Sequence, residues 1–329
     1  MKNNNSKLYI NIVSKPKTSE LYDVYWKFAC KRQDIFLKRL NNEESPWTDD
    51  AILSKYKFTN AYRASDRVSQ FLIKNVIYNN KHYSPEDMFF RIIFFKIFNK
   101  IETWQHMEKM LGEITFKTFD YYKYDAILMN LLKNNKAIYS AAYIMPSGTS
   151  IFKNERKHRN HLMLIEKMMR DNITTRIANT KSLKSLYELL LSYPTIGNFL
   201  AFQYSIDINY SNLCDFDEMS FVVTGPGAKR GIQKCFSSLG NYSEDEIIKM
   251  VCEKQSNEFQ RLNLSFRTLW GRPLQLIDCQ NLFCEVDKYT RVAYPNSNVQ
   301  GKRIKQIFKP DRINKINYYY PPKWGLKMH

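Results

Sequence analysis

The sequence lacks the cysteine and histidine spacings that are typical of metal sites. Its six cysteines are scattered, without a C-x-x-C pair or a compact group of four, and its five histidines form no H-E-x-x-H pattern. These absences argue against an iron–sulfur cluster or another metal centre. We therefore expect no metal and no organic cofactor, and we expect reduced cysteines in a cytoplasmic protein.

Long hydrophobic runs are also missing. The most apolar stretch, MFFRIIFFKIF at residues 88–98, is interrupted by Arg91 and Lys96, and it is too short to span a bilayer. It predicts a buried helix whose two cationic heads reach solvent. The polar N-terminus has no apolar signal region. We expect no membrane partner.

Acidic residues are fewer than basic residues. Lys and Arg number 50 against 32 Asp and Glu, which gives a formal net charge of +18. This surplus favours a polyanionic partner, because each phosphate that Lys or Arg neutralises releases counterions. An AT-rich genome, which favours Lys and Asn codons, is the alternative explanation. Aromatic residues make up 15% of the chain, which is ample for core packing and also allows base stacking.

Helical periodicity dominates the chain, so the expected fold class is mainly α. Only residues 219–224 and 283–294 resemble short strands. We expect a helical catalytic body over 1–295 and a monomer. Helices are predicted over residues 20–42, 49–55, 60–78, 85–98, 100–112, 117–133, 155–171, 182–192, 196–207, 230–238, 243–256 and 257–269.

The C-terminal segment 296–329 differs from the body in composition. It is rich in cations and carries interleaved aromatic residues. This pattern is typical of a basic arm that follows a nucleic-acid strand, although a tail that packs its aromatic rings on the body explains it equally well. These aromatic residues are Phe308, Tyr318, Tyr319, Tyr320 and Trp324.

A glycine-cornered helical hairpin followed by an acidic pair is the most informative motif. The hairpin turn contains Thr195, Gly197 and Asn198. The acidic pair Asp217 and Glu218 follows, and Asp217 lies 20 positions after Gly197 (217 − 197 = 20). Backbone N–H groups at such a turn and helix start can bind a DNA phosphate. A carboxylate can activate a nucleophile or stabilise a developing positive charge. Helix capping is the structural alternative for both carboxylates.

A second glycine-rich corner, GPGAKRG, lies at residues 225–231. Its spacing is not that of a Walker A motif. Gly225 and Gly227, with Lys229 and Arg230, nevertheless predict a phosphate cradle at a helix start. A sharp structural turn would explain the same glycines.

Polar and aromatic residues upstream predict a base pocket. In the predicted helix 60–78, four polar residues recur at helical intervals and form one face. Amides suit a Watson–Crick edge, Arg suits a phosphate, and nearby rings can stack on a flipped base. Ordinary packing or an internal ion network is the alternative. The pocket candidates are Trp47, Phe58, Asn60, Tyr62, Arg63, Arg67, Gln70 and Glu285.

The hairpin resembles that of the helix-hairpin-helix DNA glycosylases of the endonuclease III and adenine glycosylase superfamily. The resemblance implies a bilobal helical fold and an essential Asp about twenty residues after the last hairpin Gly, which Asp217 matches. Thr195 departs from the Gly of that pattern. Asn198 follows the last Gly, near where lyase members carry Lys, which implies base removal without strand cleavage.

Four segments extend the resemblance over most of residues 20–295. They are similar to the alpha-glutamyl/putrescinyl-thymine pyrophosphorylase family, which is related to the helical domain of the hydroxymethyluracil DNA kinases. That family is linked to hypermodified pyrimidines in phage DNA. The segments are PWTDDAILSKYKFTNAYRASDRVSQ (46–70), TIGNFLAFQYSIDINYS (195–211), GPGAKRGI (225–232) and LQLIDCQNLFCEVDKYTR (274–291).

Three functions follow as hypotheses. The first is a monofunctional DNA N-glycosylase that flips and excises a hypermodified pyrimidine from double-stranded phage DNA, in anti-phage defence, with Asp217 or Glu218 as the catalytic carboxylate. The second is a transferase that replaces pyrophosphate on an activated hydroxymethyl-pyrimidine in DNA by an amine or amino acid. The third is a module that binds modified bases without reaction.

Overall fold

A computed structural model of the protein describes residues 14–295, 306–309 and 317–328. These residues form a mainly helical structure, as the periodicity predicts. No helix in these ranges is long and apolar enough to cross a membrane. The α-helices are α1 Leu21–Leu40, α2 Ala51–Lys55, α3 Arg67–Phe71, α4 Pro85–Phe98, α5 Ile101–Leu111, α6 Tyr121–Lys133, α7 Thr149–Phe152, α8 Lys157–Arg170, α9 Ile173–Ala178, α10 Leu183–Leu191, α11 Asn198–Asn209, α12 Pro226–Cys235, α13 Glu244–Glu253, α14 Gln255–Arg261 and α15 Leu276–Ala293.

The strands in the described ranges are one short antiparallel pair, β1 Lys17–Thr18 with β2 Phe236–Ser238. The possible strands at 219–224 and 283–294 are not formed. In the second of these segments, α15 buries Leu282, Phe283 and Val286, which recur at the three- and four-residue intervals of a helix face.

The predicted helix 60–78 is interrupted. A 3₁₀ helix, Arg63–Ser65, precedes α3, and a π-helical turn, Leu72–Ile77, follows it. The backbone N–H of Asn60 donates to Asp66 Oδ1 at 2.7 Å and its side-chain amide donates to the Ser65 carbonyl at 2.6 Å. Such side-chain bonds compete with the helical ladder. The prediction of one helical face that carries all four polar pocket residues is therefore wrong.

Helix α4 crosses the core and is buried along most of its length. Its cations do not reach solvent as predicted, because Arg91 is 0% and Lys96 is 1% exposed. Arg91 donates to the carbonyls of Val76, Ile114 and Asn75 at 2.9, 2.9 and 3.3 Å. Lys96 instead contacts a carboxylate of α11. Internal partners thus replace water, which makes burial of the two charges possible.

Helices α12 and α15 pack against each other so closely that glycine is required on α12. A Cβ at Gly231 would lie 2.0 Å from the Phe283 carbonyl oxygen, and a Cβ at Gly227 would lie 2.3 Å from Cys284 Sγ. All three glycines of the GPGAKRG segment have a packing role, since a Cβ at Gly225 would lie 2.8 Å from Gln280 Nε2 on α15. The segment begins α12, with Pro226 in its first turn.

The described part of the C-terminal segment packs on the body. Tyr318 makes an edge contact with Phe36, with ring centroids 5.0 Å apart, and the Tyr320 hydroxyl lies 2.7 Å from Ser65 Oγ. Lys323 Nζ donates to the carbonyls of Ser211 and Cys214 at 2.9 and 2.6 Å. These contacts agree with the tail interpretation for residues 317–328. The rest of the predicted arm, apart from 306–309, lies outside the described residues.

Candidate active site

The predicted hairpin is formed by α10 and α11. Thr195 in the turn has φ 69°, the left-handed conformation that favours glycine, whereas Gly197 has φ −84°, which any residue adopts. The left-handed corner therefore falls on Thr195. A Cβ at Gly197 would meet nothing within 4 Å, so the backbone there is open to a close approach. Asn198 Oδ1 accepts a hydrogen bond from the Tyr187 hydroxyl at 3.1 Å. Phosphate binding at this turn stays a prediction.

The two carboxylates of the acidic pair lie in different environments. Asp217 is exposed and closes its own turn, with Oδ1 accepting from the Met219 N–H at 2.8 Å. Glu218 is 6% exposed and lies inside the body. Asp217 thus stabilises a turn and not a helix end, and Glu218 is the buried member of the pair.

Glu218 is held by a cation that is itself covered by an aromatic ring. Arg272 Nη2 lies 3.0 Å from Glu218 Oε1, and the Arg272 guanidinium carbon lies 3.9 Å from the centre of the Trp324 ring. Burial raises the pKa of Glu218 to about 7, Asp278 adds to this effect, and Arg272, Lys323 and Arg63 oppose it. A carboxyl group with such a pKa can accept and release a proton near neutral pH.

Asp278 is a second buried carboxylate near Glu218. It accepts from the backbone N–H groups of Arg63 at 2.7 Å and of Gln275 at 3.0 Å. Burial raises its pKa to about 6, against these two hydrogen bonds and the nearby Arg272. Its two backbone partners give Asp278 a clear structural role, since it joins the start of α15 to the 3₁₀ helix.

A buried ionic cluster lies on one face of α11. Arg63 donates from Nη1 to Asp207 Oδ1 at 2.8 Å and from Nε to Gln203 Oε1 at 3.0 Å. Lys96 Nζ lies 3.2 Å from Asp207 Oδ2. The Tyr143 ring covers both cations, with its centroid 4.8 Å from Lys96 Nζ and 5.9 Å from the Arg63 guanidinium carbon. We call these residues the Arg63–Lys96 centre: Arg63, Lys96, Tyr143, Gln203 and Asp207.

Burial changes the proton affinity of the Arg63–Lys96 centre. Desolvation lowers the pKa of Lys96 to about 8, and the attraction of Asp207 opposes this shift. The Arg63 guanidinium is fixed by Gln203, by Asp207 and by the Tyr210 hydroxyl, which accepts from Nη1 at 3.1 Å. Two cations therefore converge on one carboxylate in a low-dielectric environment, where charge interactions are strong.

The polar candidates of the predicted base pocket make internal contacts. Asn60 Oδ1 accepts from Arg32 Nη2 at 2.7 Å. Gln70 donates from Nε2 to the Ala64 carbonyl at 2.7 Å and accepts from the Tyr319 N–H at 2.8 Å. Arg67 is 58% exposed and lies 3.9 Å from Glu102. Of the four, Arg63 alone joins the buried centre on α11.

The remaining pocket candidates also have structural contacts. Phe58 makes an edge contact with Phe28, with centroids 5.4 Å apart. The Tyr62 hydroxyl donates to the Arg272 carbonyl at 2.6 Å. Trp47 is partly buried and donates from its indole to the Glu43 carbonyl at 2.8 Å. Glu285 Oε2 accepts from the Thr59 N–H at 3.0 Å. A role for these residues in base binding stays a prediction.

The two cations of the glycine-rich corner are paired with carboxylates. Lys229 Nζ lies 2.8 Å from Glu244 Oε1, and its side chain is 56% exposed. Arg230 Nε lies 3.1 Å from Asp287 Oδ2. Gly225 lies against the Phe199 ring, which a Cβ would approach to 2.8 Å. Phosphate binding at this corner is not tested by the structure.

The sequence patterns missed most of the Arg63–Lys96 centre. Lys96, Tyr143, Gln203 and Asp207 were not selected, and neither was Arg272, which holds Glu218. One signal was present in α11, because Gln203 and Asp207 lie four residues apart in an apolar sequence and therefore share one face of that helix.

Residues 19–299 match the family model described as "5-hmdU DNA kinase, helical domain". The chain belongs to this family. A 5-hmdU DNA kinase of Bacillus phage SP10 is similar to the chain, with 27% identity over 325 residues, covering 92% of this chain and 51% of that kinase. The chain thus spans about half the length of the curated relative it matches. No solved structure matches the chain.

Membership of the 5-hmdU DNA kinase helical-domain family corrects the main functional hypothesis. The prediction of a DNA N-glycosylase, a hydrolase that excises a hypermodified pyrimidine in anti-phage defence, is wrong. The family and its phage relative are named for a kinase that acts on a modified base in DNA. The relation to the hydroxymethyluracil DNA kinases is confirmed, whereas the glycosylase superfamily and its helix-hairpin-helix fold are not shown.

Proposed function

We propose that this helical domain binds DNA that contains an activated hydroxymethyl-pyrimidine and replaces pyrophosphate on it by an amine or amino acid. The observation that carries the proposal is the family match over residues 19–299. That family concerns modification of a base, and the base remains in the DNA. The net charge of +18 supports a DNA substrate.

The reaction is a substitution at the exocyclic carbon of the base. The amine nitrogen forms a bond to this carbon, the bond from the carbon to the pyrophosphate oxygen breaks, and the amine loses one proton. Glu218 is the proposed proton acceptor, because it is buried, is oriented by Arg272 and has a pKa near 7. Glu218 releases the proton to solvent after the transfer.

In this proposal the activating phosphoryl transfer is performed by a kinase domain outside residues 1–329. The sequence contains no G-x-x-x-x-G-K-[ST] motif, the loop that holds nucleotide phosphates in many kinases and NTPases. The proposed path is therefore sequential: a kinase activates the hydroxymethyl group, and this domain uses the product. In this proposal the hairpin turn at Gly197 contacts the DNA backbone.

The experiment supplies duplex DNA with pyrophosphorylated 5-hydroxymethyl-uracil, together with putrescine or glutamate. Digested nucleosides are analysed by mass spectrometry, and released pyrophosphate is measured in parallel. We expect an amine-substituted nucleoside and one pyrophosphate per product. The Glu218→Gln variant should lose at least about 100-fold in rate, a typical effect of removing a general base. Glu188→Gln, an exposed carboxylate on α10, should leave the rate unchanged.

Three results would contradict the proposal or its assignment. No product with any amine would remove the transferase function. A phosphorylated base formed from ATP and hydroxymethylated DNA would instead place the kinase reaction in this chain. Loss of activity in Asp217→Asn, with Glu218→Gln fully active, would refute the role of Glu218.

A further inference from the structure

The Arg63–Lys96 centre contains a buried donor without a partner. Arg63 is 2% exposed, and its Nε and Nη1 are hydrogen-bonded. Its Nη2 has no hydrogen-bond partner in the part of the chain that the structure describes. An unmade hydrogen bond of a buried charged group destabilises the fold, because the group has lost its water without gaining a partner. A ligand that accepts a hydrogen bond at Nη2 would offset this loss.

A second buried arginine shows how this fold satisfies a guanidinium when no ligand is needed. Arg91 uses Nε, Nη1 and Nη2 to donate to three backbone carbonyls. Arg32 leaves its Nη1 without a partner, but its acceptors are the uncharged oxygens of Phe58, Thr59 and Asn60. Unlike that of Arg32, the unused donor of Arg63 adjoins a second buried cation, Lys96, which contacts the same carboxylate.

The charge of the Arg63–Lys96 centre favours an anion. Arg63 and Lys96 share Asp207 as their carboxylate contact. At the glycine-rich corner, Lys229 pairs with Glu244, and Arg230 shares Asp287 with Lys234 and Arg291. The side chains of Arg63 and Lys96 are each 2% exposed, whereas those of Lys229 and Arg230 are 56% and 37% exposed. Water therefore screens a phosphoryl oxygen less at the Arg63–Lys96 centre than at the glycine-rich corner.

Tyr143 separates this centre from the surface. Its side chain is partly exposed, its neighbour Ile144 is 66% exposed, and the connection from α6 to α7 in which they lie has no helix or strand. Tyr143 has φ 55°, a strained conformation for a bulky residue. Its ring stacks on Phe199 in the first turn of α11, with centroids 5.7 Å apart and planes 5° apart. The other hydrogen-bond partners of Arg63, which are Gln203, Asp207 and Tyr210, are buried, so the Tyr143 side of the centre is the one nearest to solvent.

We propose that the Arg63–Lys96 centre binds the pyrophosphate group of the activated base, with entry on the Tyr143 side. This inference rests on the proposed function and adds the leaving-group site to it. Arg63 Nη2 donates to a phosphoryl oxygen, and the Lys96 ammonium lies beside the same group. Both stabilise the negative charge that grows on the leaving oxygen as the carbon–oxygen bond breaks.

Inorganic pyrophosphate titrated into the purified full chain by calorimetry tests this site without any catalytic step. We expect Arg63→Lys to weaken pyrophosphate binding at least about tenfold, because it keeps the positive charge but removes the guanidinium donors, including Nη2. Arg91→Lys is the matched control, because it changes a buried arginine of the same fold whose donors are all used. Lys229→Met tests the competing corner and should leave the affinity unchanged.

Tyr143→Ala provides a second measurement that holds even if Arg63→Lys does not fold. Removal of the covering ring should speed pyrophosphate association at least about threefold in stopped-flow measurements. Unchanged pyrophosphate binding in Arg63→Lys would overturn the site. Loss of binding in Lys229→Met, together with retained binding in Arg63→Lys, would also overturn it. Unchanged association in Tyr143→Ala would overturn the entry route. If the chain substitutes the base but pyrophosphate does not bind at the Arg63–Lys96 centre, only the proposed pyrophosphate site is rejected. If pyrophosphate binds at the centre but no DNA is substituted, only the proposed function is rejected.

Discussion

Glu218→Gln should change how the stability of the protein depends on pH. The unfolded chain ionises Glu218 near its ordinary value of 4.5, whereas burial in the folded protein raises the pKa to about 7. Between these two values the folded state binds more protons than the unfolded state. The free energy of unfolding therefore falls as the pH rises through this window. Gln cannot ionise, so this loss is absent in the variant.

The magnitude follows from the difference between the two pKa values of Glu218. One pKa unit corresponds to about 1.4 kcal/mol, so the change from 4.5 to about 7 corresponds to about 3 kcal/mol over the full range. Between pH 5 and pH 8 most of it is realised, about 2–3 kcal/mol. Asp278, whose pKa is also raised, is present in both proteins. The difference between wild type and variant thus reports the ionisation of Glu218 together with its coupling to Asp278.

The assay is urea-induced unfolding followed by circular dichroism at pH 5, 6.5 and 8. The stability of Glu218→Gln relative to the wild type should rise steadily from pH 5 to pH 8. Asp217→Asn, at the exposed neighbouring position, should change stability by no more than about 0.5 kcal/mol at each pH. The reasoning is refuted if the wild type and Glu218→Gln differ by a constant amount at all three values.

Four further substitutions test the packing, the hairpin and the ion pair. Gly231→Ala should destabilise the protein by about 3 kcal/mol or more, because its Cβ would lie 2.0 Å from a backbone oxygen. Gly197→Ala, the control, should destabilise it by no more than about 1 kcal/mol. Thermal unfolding compares the two variants, and equal losses of stability would refute the packing role of Gly231. Thr195→Gly should raise stability by up to about 1 kcal/mol, since it relieves the strain at φ 69°; a loss in urea titration would contradict this. Arg272→Met should destabilise by about 3 kcal/mol at pH 8, because it removes the ion pair that ionised Glu218 makes in the wild type. The loss should be much smaller at pH 5, where Glu218 is protonated with or without Arg272; an equal loss at both values would argue against the ion pair.

Local patterns predicted much of the helical structure, because three- and four-residue intervals of apolar side chains specify a helix face whatever it packs against. The helix at 85–98 and the α10–α11 hairpin are confirmed in this way. The same patterns failed at residues 60–66, where side-chain hydrogen bonds of Asn60 replace the helical ladder. The resemblance of long motifs indicated the kinase-related family correctly, but the choice of base excision as the chemistry was wrong.

Tertiary structure alone decided which carboxylates and cations are buried together. Asp217 and Glu218 are adjacent in the sequence, yet only Glu218 lies inside, beside Arg272, which is 54 positions away. Arg63 and Asp207 are separated by 144 positions. Their contact depends on how the 3₁₀ helix and α11 pack, and no periodicity within either segment encodes it. The sequence by itself determined the helices and the positive charge, whereas packing between distant segments determined where that charge is concentrated, because burial and pairing depend on neighbours that only the folded chain brings together.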